Sequence, residues 1–264
     1  MSIPTKLIGG VGVFALAGLL MAMPATADVG ISGNIFSLEI CREIEGVPQC
    51  VAIFDVPSEG TWNGTTWSWE LPDTLEIYNF SHSELVATLS EGTRVEITPP
   101  VEGSRSDPVV NLGFAMQAGN ALTTFTVKSA LLNGLSISNP QGRASATFTV
   151  SDGLDDDGGL LTGLNAGGGS YLAQYNGHVP SGTNFAELIP SMVIPVEGSF
   201  GTTEDYPGGG LYSAIAGTVS NMSSEISFTV TPNDLASGTS VFEIVPEPSA
   251  LLLLAAGLTL WRRR

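Results

Sequence analysis

The chain has 264 residues, with 26 acidic against nine basic side chains, 32 glycines, two cysteines and a formal charge of −17. All 26 acids but only five of the cations (Arg42, Arg94, Arg105, Lys128 and Arg143) lie between residues 28 and 248, so that stretch alone carries −21. Five scattered cations cannot build the basic footprint that nucleic acid requires, which excludes a nucleic-acid partner. A body this acidic also avoids anionic membrane surfaces, while it can attract divalent cations.

The first element is a targeting segment. Lys6 is followed by an apolar run from Leu7 to Met23, and Ala25-Thr26-Ala27 forms a small-residue site before Asp28. This is the layout of a secretory signal peptide over residues 1–27, helical over about 5–24 and cut between Ala27 and Asp28. An uncleaved N-terminal anchor is the alternative, because the apolar run is long for a signal peptide. Gly10 to Ala15 happens to read G-x-G-x-x-A, but it follows no strand and opens no βαβ unit, so it is not a dinucleotide site.

From residue 28 to 245 the pattern changes to short alternating runs, among them LEIYNF, RVEITP, TTFTVKS, SATFTVSD, EISFTVTP and SVFEIV. Period-two alternation rich in Thr, Val, Ile and Phe, punctuated by Gly, Pro and Asn, predicts strands without intervening helices. The fold class expected is therefore all-β, an antiparallel β-sandwich or jelly roll. Phe-Thr-Val occurs at Phe125, Phe148 and Phe228. The unequal spacing favours convergent strand composition over a true internal repeat.

Two hairpins can be placed. In EICREIEGVPQCVAI a two-residue loop at Glu45-Gly46 sets Cys41 opposite Cys50, in a non-hydrogen-bonded pair close enough for a disulfide. Glu is poorly suited to positive φ, so a four-residue loop that offsets the cysteines slightly is the alternative. An oxidising compartment and only two cysteines make the disulfide the default, since neither has C-x-x-C spacing or a nearby His. In GTWNGTTWSW, Asn63-Gly64 is a two-residue turn signal that pairs Trp62 with Thr65 and Gly60 with Trp67.

Candidate sites are few. Asp152, Asp155, Asp156 and Asp157 form the densest acidic cluster, a weak Ca2+ candidate. An EF-hand frame with Gly158 at the glycine position fails, and a solvated turn is the favoured reading; no other cofactor is expected. Trp62, Trp67 and Trp69 could stack on sugar rings, but Trp67 and Trp69 share a face at period two, which is also how a core stripe looks. His82 and His178 read as loop and turn residues. H-E-x-x-H, G-x-S-x-G and G-x-x-x-x-G-K-[ST] are all absent, so the chain is read as non-catalytic. A glycosidase would need two carboxylates brought together by folding, and nothing singles out a pair.

The last element is Val-Pro-Glu-Pro followed by Ser249 to Trp261, thirteen residues without charge, and then Arg262, Arg263 and Arg264. As a helix over about 249–262 it would be about 20 Å long, short against a ~30 Å bilayer core. The arginines would stay on the cytoplasmic side. Pro246, Glu247 and Pro248, the apolar stretch and the arginine cluster together resemble a PEP-CTERM sorting signal over residues 246–264. The resemblance covers the tail only. It implies a Gram-negative, exopolysaccharide-producing bacterium and processing near Pro246-Glu247-Pro248 by a membrane-embedded exosortase. It also implies transient inner-membrane anchoring through a short transmembrane helix, with the body on the periplasmic side, then delivery to the cell surface or outside. The expected function is a non-catalytic surface or matrix protein associated with exopolysaccharide or biofilm. A carbohydrate-binding module is the alternative, and a secreted glycoside-active enzyme a distant one.

Overall fold

A computed structural model describes residues 29–44, 47–57, 60–79, 83–100, 107–153, 158–178 and 181–246. The expected helices at 5–24 and 249–262 and the cleavage site at Ala27–Asp28 lie outside the described residues. So do the Glu45-Gly46 turn, His82, Asp155 to Asp157, and Glu247 onward. Among the described residues there is no helix, hence none long and apolar enough to cross a membrane. The strands, in chain order, are β1 (Gly30–Ile44), β2 (Val47–Val56), β3 (Thr61–Trp62), β4 (Trp67–Glu70), β5 (Leu75–Tyr78), β6 (Leu85–Leu89), β7 (Arg94–Thr98), β8 (Val109–Ala118) and β9 (Thr123–Ser138). They continue as β10 (Gln141–Ser151), β11 (Gly159–Gly163), β12 (Tyr171–Tyr175), β13 (Thr183–Leu188), β14 (Met192–Ile194), β15 (Ser199–Tyr206), β16 (Ser213–Ala214), β17 (Thr218–Val230) and β18 (Leu235–Val245).

The strands form two antiparallel sheets of a β-sandwich. One runs β13-β12-β17-β9-β1-β2, with β11 on β17 and β14 on β11. The other runs β15-β10-β18-β8-β7-β4-β3, with β16 on β10 and β6, carrying β5, on β8. The alternation seen in the sequence is the in–out alternation of this sandwich. In β10, Ala144, Ala146, Phe148 and Val150 are buried, while Ser145, Thr147 and Thr149 face outward. Thr147 stands opposite both Thr203 and Thr239 and shares a 2.9 Å hydroxyl hydrogen bond with Thr203.

The three Phe-Thr-Val triplets meet in the core. Phe125, Phe148 and Phe228 are all fully buried. Phe125 and Phe228 are cross-strand partners with ring centroids 5.6 Å apart. Phe228 also lies 5.3 Å from Phe114 and 6.3 Å from Phe148, so the cluster crosses from one sheet to the other. Two further aromatic groups close the sides. Phe36, Phe54 and Trp69 pack at 4.9–6.4 Å on one side. On the other, Phe185 stacks on Phe242 at 5.2 Å and meets Tyr206 edge-on at 5.3 Å.

The expected disulfide is present. Cys41 is in register with Cys50, Arg42 with Gln49 and Ile44 with Val47, and the S–S distance is 2.06 Å. A register shift after Ile40, which pairs with Ala52, leaves Val51 as the extra residue of a bulge. The second hairpin differs from expectation: Trp62 pairs with Trp67, not Thr65, and the loop has four residues. The cause is the Asn63 side chain. Its Oδ1 accepts from the Thr65 and Thr66 amides and the Thr65 hydroxyl, each at 2.9 Å, and Asn63 N donates to Thr66 O. This Asx turn holds the chain past the point where a two-residue turn would reverse it, with Gly64 at φ +97°.

Both ends of the sandwich emerge at one pole. Gly30 pairs with Asn133 and Val245 with Gln141, and these partners flank the Asn139-Pro140 connection between β9 and β10. The disulfide hairpin and the β8–β9 and β17–β18 connections form the opposite pole. Gly238, in the middle of β18, stands opposite both Phe114 and Phe148. A Cβ there would lie 2.6 Å from a Phe148 ring carbon and from the Thr147 carbonyl oxygen, and 2.9 Å from Phe114. Gly238→Ala is therefore expected to overpack the centre and cost about 1–3 kcal/mol, read as a lowered denaturation midpoint at unchanged m-value.

Candidate functional site

The tryptophan hairpin sits at the end of its sheet, where β3 is the edge strand. Trp69 turns inward onto Phe36 and Phe54 and is half-buried. Trp67 is also half-buried, and its ring lies 4.3 Å from that of Trp62, which remains 45% exposed. Trp67 and Trp69 thus both pack against the core, as a stripe sharing one face would, and Trp62 lies over Trp67 at the rim.

Of the acidic cluster, Asp152 is described. Its amide donates to Gly198 O at 2.9 Å, and both carboxylate oxygens are shielded from solvent with no hydrogen-bond partner. The fold brings Asp234 to the same connection, an acid that local sequence does not associate with it. Asp234 is fully buried and accepts from the Gly153 amide at 3.0 Å and from the Thr231 hydroxyl.

His178 is in a turn, as expected, with its carbonyl accepting from the Ser181 and Gly182 amides. It is half-buried over the outer face of the β12–β17 sheet. There Glu225, 8% exposed, lies 3.6 Å from Lys128, its cross-strand partner. Burial raises the Glu225 carboxyl above its ordinary value against the opposing pull of Lys128. Burial, then the Lys128 charge, lowers His178 below 6.5.

A cavity of about 280 Å3 opens on the outer face of the other sheet. β15 and β16 occupy the same edge of β10 one after the other, and the chain between them arches outward over the gap. That arch contains Gly208, Gly209 and Gly210, all at positive φ, a run of conformations that side chains rarely adopt. Asp205 Oδ2 ties it back by accepting from Gly210 N at 3.2 Å. Behind it, Arg143 Nε donates to Glu243 Oε2 at 2.5 Å, and the Tyr212 hydroxyl donates to the same oxygen at 3.1 Å. The Arg143 guanidinium also lies 5.2 Å from the centroid of the Tyr212 ring. The hydrogen bond to Glu243 raises Arg143, and burial followed by the Glu243 charge raises Asp107 and Tyr212. Sequence reading missed this group. The run of glycines after Pro207 marks a loop, but nothing local joins Arg143 to Glu243, 100 residues away.

No family model matches the chain, and no curated protein matches it. Among solved structures, the enzymatically active domain of bacteriophage CBA120 tailspike protein 4 aligns at 12% identity and TM-score 0.27, over 69% of this chain. The alignment covers 20% of that solved chain. Infectious bursal disease virus, Gx strain, aligns at 13% identity and TM-score 0.16, covering 87% of this chain and 68% of the other. At these scores neither likeness bears on fold or function.

The lowered His178 value has a signed consequence. Below 6.5 the unfolded chain takes up a proton that the folded chain refuses, so His178 withdraws stability as pH falls from 6.5 through its folded value. In thermal unfolding at about pH 7 and about pH 5, His178→Gln should lose less stability on acidification than the parent. Glu225 contributes to both proteins, so the difference between them isolates the histidine.

Proposed function

We propose that this is an exported, non-catalytic surface or matrix protein, delivered through a PEP-CTERM-type sorting tail and associated with exopolysaccharide. The observation that carries the reading is where the strands begin and end. β1 starts at Gly30, just after the expected signal cleavage, and β18 stops at Val245, against the Pro-Glu-Pro motif. No described strand uses the tail. Both ends leave from the same pole, so a tail held in a membrane would present the body outward by its opposite pole. Pro246, exposed and lacking an amide donor, cannot extend the β18 ladder. On this reading a membrane-embedded processing enzyme acts just beyond the last strand, near Pro246-Glu247-Pro248.

A carbohydrate-binding module is the second reading, favoured by the exposed face of Trp62 stacked on Trp67. Its rings lie at the same pole as the end of β18, since Trp67 pairs with Ile97 near the Thr98–Val109 end of β7.

Intact-mass measurement of the surface or released form tests the sorting reading. The expected mature chain begins at Asp28 and lacks Arg262 to Arg264. A mature chain that retains the arginines makes this a plain tail-anchored protein. Replacing all three arginines with Ser should release unprocessed precursor, and unchanged sorting would contradict the orienting role given to them.

A further inference from the structure

We infer that the cavity under the Gly208–Gly210 arch is a binding subsite for an uncharged saccharide. The first argument is charge. Arg143 is the cation of the site, and its Nε is committed to Glu243; Asp205 and the nearby Asp107 add negative charge. The surrounding body, at −21, repels polyanions as well. A phosphate, sulfate or uronate would enter against this field.

The second argument is the mix of hydrogen-bonding groups. A carboxylate ligand needs donors, and an ammonium ligand needs acceptors. A hydroxyl is both, and two neighbouring hydroxyls are matched by a donor and an acceptor set side by side. The cavity offers this pair: the terminal nitrogens of Arg143 as donors and the Asp205 carboxylate as acceptor, with the Ser145 hydroxyl on the same strand as Arg143 and opposite Asp205. Ser145 is in register with Asp205 on one side and Val241 on the other, so these groups share one stretch of sheet.

The third argument is the apolar wall. Val241, in register with Ser145 on the outward face, and Leu211, at the end of the arch and 66% exposed, are its apolar side chains. Both line the cavity. The C–H face of a sugar ring suits an aliphatic surface of this kind, and polar groups on the facing side then fix its orientation. A volume of about 280 Å3 admits a small ring or two, consistent with one end or one step of a glycan chain.

The inference rests on the exopolysaccharide reading only for where such a ligand is met; binding itself is measured on purified full-length protein and does not depend on processing. Maltose, cellobiose and diacetylchitobiose are titrated by calorimetry, with glucuronate and glucosamine as charged controls and tryptophan fluorescence followed in parallel. At least one neutral disaccharide should bind saturably and at least ten-fold more weakly to both Asp205→Asn and Leu211→Ser. Leu211 is exposed enough that its substitution leaves the fold intact. Tryptophan emission should not change, because the cavity contains none. Absence of saturable binding by all three disaccharides overturns the inference. So does binding retained in both variants, or tighter binding of either charged control. Retained binding with an emission shift would place the ligand on the Trp62–Trp67 stack instead.

Discussion

The contact on which the rest of the sandwich depends is Phe228 against Phe114, Phe125 and Phe148. These four rings belong to β17, β8, β9 and β10, so they join the central strands of both sheets in one dry cluster. Side chains alternate across a strand, and a one-residue slip in any of these four would send its phenylalanine to solvent. The cluster therefore fixes register as well as adding buried area. It also explains a glycine in the middle of a long central strand. Gly238 leaves the space that Phe114 and Phe148 fill from either side.

The outer parts of the sandwich are secured differently on each side. Phe36, Phe54 and Trp69 join β1 and β2 to β4, while Phe185, Tyr206 and Phe242 join β13 to β15 and β18. At the far pole the Cys41–Cys50 bridge closes the β1–β2 hairpin, and Arg42 beside it reaches Glu84 at 2.6 Å. The bridge spans only nine residues, so its entropic contribution is modest, on the order of 2–3 kcal/mol. It serves to hold an edge hairpin in place more than to hold the fold together.

The features of chemical interest gather at the pole from which both termini leave. Arg143 and Glu243 lie two residues from the ends of β10 and β18, and the tryptophan stack lies at the same end. A body tethered there would carry its polar cavity and exposed rings close to the surface that holds it. Its disulfide-closed pole would face away.

The sequence by itself determined what rests on local pattern. The all-β class follows from period-two alternation. The Cys41–Cys50 bridge follows from counting outward from a turn, and the His178 turn from its flanking glycines and proline. It failed at Asn63, where a side chain competing for backbone amides lengthened the loop and shifted Trp62 from Thr65 to Trp67. Only the tertiary structure decided which strands became neighbours, that three scattered Phe-Thr-Val triplets share one core, and that Asp234 accepts from the Gly153 amide. It alone assembled Arg143, Ser145, Asp205, Leu211 and Val241 around a cavity, with Glu243 and Tyr212 held against Arg143. The physical reason is range. Turn geometry and alternation act over a few residues, whereas sheet order is set by which faces exclude water together, and those faces come from segments more than a hundred residues apart.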